Sequence, residues 1–88
     1  MQYLSNGSVL VLKGAERKVM VCGRMQQTAE GKKYDYCACP WPEGFQGGEM
    51  ILFNNEDIDQ VYYIGFQDAD ELKYLAFVND VGLGVSDE

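Results

Sequence analysis

The chain has 88 residues, 47% hydrophobic and 24% charged, with a net charge of −7. This is the length of one small domain with stability on the order of 5 kcal/mol, and its composition excludes wholesale disorder. The negative balance also excludes nucleic acid and anionic membrane as expected partners, since both need a basic face.

Residue 8 opens the first expected strand, running to 13 through Val9, Leu10, Val11 and Leu12 after the turn signal Asn6-Gly7. A polar connection at 14–17 leads to a second strand at 18–25, making a hairpin. Gly23 interrupts that strand and marks a bulge or barrel corner. The third strand, 32–39, places Tyr34, Tyr36 and Ala38 on one face and Asp35, Cys37 and Cys39 on the other. Pro40 ends it, and residues 40–45 form a stiff turn because each proline fixes φ and restricts the residue before it.

A fourth strand follows at 49–53, then a single helical turn at 54–59 with an asparagine cap and acids in its first turn. The fifth strand covers 60–66. Asp68 opens a helix of about three turns with an apolar stripe of Leu72, Leu75 and Val78, stopped by Gly82. Residues 82–88 are expected as a frayed tail. Four strands carry runs of apolar residues rather than clean alternation, so both faces need cover. One short helix cannot supply it. The expected fold is mainly β (α+β): a five-stranded antiparallel curled sheet, or SH3-like or OB-like barrel, with one C-terminal helix, in a single domain over 1–88. A partner covering the remaining face is compatible with this.

Charge is unevenly spread. Residues 1–53 carry six Lys/Arg and five Asp/Glu, whereas residues 54–88 carry Lys73 and nine Asp/Glu. The acidic third serves solubility or steers a basic partner. The segment Met1–Gly7 shows neither a basic start nor an apolar run, no stretch approaches the length of a membrane span, and no lipidation motif is visible. A cytoplasmic protein with reduced thiols is expected.

Gly7-Ser8-Val9-Leu10-Val11-Leu12-Lys13-Gly14, then Val19-Met20-Val21-Cys22-Gly23-Arg24, Tyr34-Asp35-Tyr36 and Trp41-Pro42-Glu43-Gly44 resemble the landmarks of the domain of unknown function 4176 family. Phe53-Asn54-Asn55-Glu56-Asp57-Ile58-Asp59-Gln60-Val61 and Gly65-Phe66 resemble its later blocks, so the likeness spans roughly residues 4–75. Cys37, Cys39 and Trp41 depart from the family's commoner aliphatic and tyrosine residues. The family is typical of low-GC Gram-positive bacteria and is often encoded beside type VII secretion genes and LXG toxins. The resemblance implies an accessory role there: a cytoplasmic chaperone or targeting adaptor for a secreted effector or its helical partner, or alternatively an immunity protein. It carries no assigned active site.

No catalytic constellation emerges from the residues. Cys22, Cys37 and Cys39 supply three thiolates, but the chain has no histidine. The spacing is not Cys-x₂-Cys, so they read as small core hydrophobes rather than zinc ligands. A cysteine nucleophile would lack a histidine base. The acids at 56–59 and 68–71 sit at helix starts, where capping and the macrodipole favour them over acid–base or calcium chemistry. No enzyme activity, cofactor or metal is expected. Most aromatics are expected in the core. Trp41, held between prolines, is either a binding hot spot or a plug at the barrel end. The expected partner is another protein, with a homodimer open, and the expected contacts are Trp41, Pro42, Phe45, Asp57, Asp70 and Glu71.

Overall fold

Five strands and one helix follow one another: β1 (Val9–Leu12), β2 (Lys18–Gln27), β3 (Lys33–Pro40), β4 (Ile51–Phe53), β5 (Ile58–Tyr63) and α1 (Ala69–Ser86), with a 3₁₀ turn at Asn55–Asp57 before β5. The computed structural model describes the backbone of residues 3–86 and the side chains of residues 3–77. The strands form one sheet in the order β4-β3-β2-β1-β5, every neighbour antiparallel.

That order forces the sheet to curl. β4 and β5 are consecutive in the chain yet lie at opposite edges, joined only by Asn54 and the 3₁₀ turn. In a flat sheet the edges would stand about 19 Å apart, four spacings of about 4.8 Å. A four-residue connection containing a 3₁₀ turn, at about 2 Å rise per residue, spans only about 10 Å. The edges must therefore approach each other. This strand path, with a 3₁₀ turn before the last strand and the helix after it, fits the SH3-like alternative rather than the OB-like one.

The bend is built at Gly23. The β2–β3 register passes from Val21↔Ala38 to Gly23↔Cys37 and leaves Cys22 unpaired, which is the bulge the glycine foretold. A Cβ on Gly23 would lie 3.0 Å from Cys37 Sγ and from Gln26 Nε2, so the site favours the absence of a side chain.

The core inside the curl comprises Tyr3, Leu10, Val19, Val21, Tyr36, Ala38, Phe53 and Leu75. The Tyr36 ring stacks on Phe53 at 5.1 Å between centroids and meets Tyr3 edge-on at 5.8 Å. Its hydroxyl accepts the Leu4 N–H at 2.9 Å and donates to Asn55 Oδ1 at 3.1 Å, so this buried phenol has both capacities used. The crossing turn is pinned to β3 in the same region. Asn54 Oδ1 accepts the Asp35 N–H, and Asp35 Oδ2 accepts the Asn55 N–H. Asp57 Oδ2 accepts the Asn54 N–H, the capping acid's ordinary work.

Three expectations need correction. The fifth strand runs from Ile58 to Tyr63 rather than over 60–66, and the helical turn before it is confined to Asn55–Asp57 rather than 54–59. Gly65 is drawn away to the N-terminal segment, where the Ser5 hydroxyl donates to its carbonyl at 2.9 Å and the Ser8 hydroxyl accepts its N–H at 3.0 Å. The helix, in turn, does not stop at Gly82. It runs 18 residues to Ser86, about 27 Å. An interior glycine costs a helix only about 1 kcal/mol and does not forbid it. Asp68 caps its start, accepting the Glu71 N–H at 3.0 Å. The expected stripe is not what docks it. Leu75 is buried and Leu72 is exposed, and the Val78 side chain lies outside the described residues. Of the expected tail at 82–88, Asp87 and Glu88 lie outside the described residues.

Candidate protein-binding surface

The turn after β3 presents the expected aromatics. Trp41 is 41% exposed and Phe45 59%. The turn is closed by the Gly44 N–H, donated to the Pro40 carbonyl at 2.7 Å, with Gly44 at φ 80° in the left-handed region. Trp41 donates its N–H to the Lys18 carbonyl at 3.0 Å. Arg17, in the β1–β2 connection, ties the outside: its Nη2 donates to both Glu43 carboxylate oxygens, 2.6 Å to Oε1, and lies 3.4 Å from the Trp41 carbonyl. That hydrogen bond and the guanidinium charge hold the Glu43 carboxyl below the usual glutamate range. The indole is thus displayed on a loop whose backbone is fixed from two sides.

The six expected contacts do not converge. Asp57 sits on the crossing turn, its carbonyl accepting the Lys13 N–H at 2.9 Å, so it and the Trp41 turn both lie against the β1–β2 connection. Asp70 and Glu71 belong elsewhere. They line an open cleft of about 490 Å³ with Arg24, Phe66, Asp68 and Tyr74. Within it Asp70 is exposed, whereas the Glu71 side chain is only 11% exposed and is bound by Arg24. Glu71 therefore offers a partner little, because its charge is already answered inside the protein.

The expectation that most aromatics are core also fails. Tyr36 and Phe53 are buried, and so is Tyr3. Tyr62, Tyr63, Phe66, Tyr74 and Phe77 are exposed, as are Val61, Ile64 and Leu72. They cluster on β5, on the segment after it and on the first turns of α1. β5 is an edge strand, so its apolar run has a neighbour on one side only. Acids bracket the run: Glu56, Asp57 and Asp59 before it, Asp68 and Asp70 after it, all exposed. The bracketing was visible in the sequence. The edge position was not, since strand order decides it.

Cys37 and Cys39 are buried on the sheet face opposite Tyr36 and Ala38, and Cys22 is partly buried. Among the described residues no group of three or more His, Cys, Asp or Glu is placed to hold a metal ion. No helix among them is long and apolar enough to cross a membrane.

Neither a curated protein nor a solved structure matches the chain. Residues 3–74, which take in the whole sheet, the crossing turn and the start of the helix, match one family, and the chain belongs to it: the domain of unknown function family DUF4176.

Proposed function

We propose that the protein is a non-catalytic, protein-binding accessory factor: a chaperone or targeting adaptor for a type VII-secreted LXG effector or its helical partner. The observation that carries this reading is the number of large apolar side chains left exposed late in the chain: Tyr62, Tyr63, Ile64 and Phe66 on and after β5, and Leu72 and Phe77 on α1, with Phe66 and Tyr74 lining one cleft. A small domain gains nothing from leaving so many large apolar groups in water, and such patches are typical of surfaces that receive a partner. Aromatic residues are the side chains that anchor protein interfaces, while the exposed acids around them would set a partner's charge and orientation. The secretion setting comes from the resemblance to the family and stands as part of the proposal.

A second reading rests on the acids. Asp57, Asp59, Asp68 and Asp70 beside exposed aromatics suit an immunity protein that blocks a toxin's basic nucleic-acid site. One experiment tests both. The tagged protein is expressed in its source cells, and co-purifying proteins are identified by mass spectrometry. The adaptor reading expects a stoichiometric LXG effector or its helical partner, retained through the effector's N-terminal secretion domain and lost when Tyr63 and Phe66 are both replaced by serine. Retention through the toxin's C-terminal domain instead selects the immunity reading. Recovery of the protein alone overturns both.

A further inference from the structure

We propose that Cys22 and Cys39 form an oxidation site that closes into a disulfide when the protein meets a low-molecular-weight disulfide, tying β2 to β3 while Cys37 remains a thiol. The bulge frees one member of the site. Cys22 lies two residues beyond Met20, the ladder partner of Cys39, so its side chain shares that face, and the bulge leaves it with no cross-strand partner of its own. The two sulfurs stand 3.2 Å apart. A bonded pair stands about 2.05 Å apart, so closure needs only about 1.1 Å of approach. Both thiols also lie near the Met20 carbonyl, at 3.5 Å from Cys22 and 3.8 Å from Cys39, so one backbone group holds them on one spot.

Cys37 is a poor competitor. It is two residues from Cys39 on one strand, about 6.8 Å between Cα atoms, at the outer limit for a disulfide. Its sulfur instead covers Gly23, where a Cβ would lie 3.0 Å from it.

Exposure sets the order of events. Cys22 is partly exposed and Cys39 is 2% exposed, so Cys22 meets the oxidant. Its thiolate attacks one sulfur of the small disulfide RSSR, forms a mixed disulfide and expels RS⁻. Cys39 gives its proton to RS⁻ or to water and attacks the Cys22 sulfur, expelling the second RS⁻. Two protein thiols lose two electrons and two protons, and RSSR gains them as two RSH. Desolvation by burial, together with the Cys39 thiol, pushes Cys22 up to about 11. Exchange is therefore slow at neutral pH and quickens about tenfold per pH unit as the thiolate fraction grows.

The test uses the full chain and oxidised glutathione at mildly alkaline pH, quenched in acid and mapped by mass spectrometry. The expected product has lost two of its three thiols, is lighter by two hydrogen atoms, and yields a peptide linked through Cys22 and Cys39 with no glutathione retained. Cys37→Ser should give the same link, and Cys39→Ser should trap glutathione on Cys22. A bond through Cys37, glutathione retained on the unaltered chain, or three intact thiols under conditions that oxidise the urea-unfolded chain each overturn the proposal. The mapping of the unaltered chain decides the matter even where a variant fails to fold.

Discussion

Glu71 on α1 grips Arg24 on β2 with both carboxylate oxygens, at 2.7 and 2.9 Å, and Arg24 is 6% exposed. The same guanidinium donates to the Leu4 carbonyl at 3.0 Å and lies 4.9 Å from the centre of the Tyr74 ring. One cation thus joins the N-terminal segment, the sheet and the helix. Its Nε is buried without a partner, so the site is held by the fork of Nη donors alone. Removing one member of a buried pair leaves the other's charge uncompensated and costs about 3 kcal/mol or more. Arg24→Met should therefore lower the urea midpoint sharply. Arg24→Met with Glu71→Leu should recover most of the loss, because an apolar pair of similar volume leaves no stranded charge. A single-variant loss below about 1 kcal/mol would make the pair equivalent to an exposed one.

Gly65 tests the clasp between the chain's beginning and the end of β5. A Cβ there would collide with the Asn6 carbonyl oxygen and lie 3.0 Å from the Ser8 nitrogen, both backbone atoms. Neither can rotate aside. Gly65→Ala should cost more than about 2 kcal/mol, as overpacking against an unyielding neighbour does. Ser8→Ala removes the acceptor of the buried Gly65 N–H and should cost about 1–3 kcal/mol. Urea denaturation measures both, and a Gly65→Ala protein as stable as the parent would mean the segments do not meet.

Trp41 is the second place where a substitution separates surface from core. With 41% of the residue in solvent and its position set by backbone hydrogen bonds, the indole contributes little to the fold. Trp41→Ala should weaken partner binding and shift the melting temperature by less than about 5 °C, the size expected for a change of at most about 1 kcal/mol. A larger loss would make Trp41 a plug at the barrel end.

Local pattern carried the sheet further than it carried the surface. Val9 to Leu12, Gly23, Pro40 and Pro42 at the end of β3 and the acids at 56–57 each have a short-range physical meaning, and each element lies within a residue or two of where that meaning puts it, β3 taking in Pro40 as its last residue. Strand ends were misplaced where a distant group intervened, as Ser5 and Ser8 do at Gly65. The candidate site was legible only in halves. The stiff Trp41 turn follows from its prolines, but Tyr62 and Tyr63 look like core until the strand order puts β5 at an edge, and Phe66 looks like strand until the chain is seen to leave the sheet after Tyr63. Arg24 did carry a sign: a lone cation inside the apolar run of β2 demands a partner, and only the fold could name Glu71.

The Arg17–Glu43 pair makes the Trp41 turn sensitive to acid. Its Arg17 hydrogen bond lowers the Glu43 pKa in the folded protein. A depressed carboxyl contributes order above its ordinary value of about 4.3 and loses it as pH falls through the lowered one. Trp41 is the only tryptophan, so its fluorescence reports this turn alone. The emission should change in a step below the ordinary glutamate range, before global unfolding. Glu43→Gln should abolish the step, whereas a step that survives in Glu43→Gln would belong to another carboxylate.

Alkali should act through Cys22. Its folded pKa is raised to about 11, first by desolvation and then by the Cys39 thiol. A raised pKa favours the protonated form in the fold, so the contribution is whole below the unfolded value of about 8.5 and is lost as pH rises toward 11. Burial raises Cys37, Tyr3 and Tyr36 as well, so the alkaline loss has more than one source. The discriminating measurement is the difference between the parent and Cys22→Ala in urea midpoint across pH 8.5 to 11. That difference should move steadily in the variant's favour, since alanine has no proton to lose. A constant difference would mean that Cys22 ionises as freely in the folded protein as in the unfolded chain, and the alkaline loss would then rest on Cys37 and the two buried tyrosines.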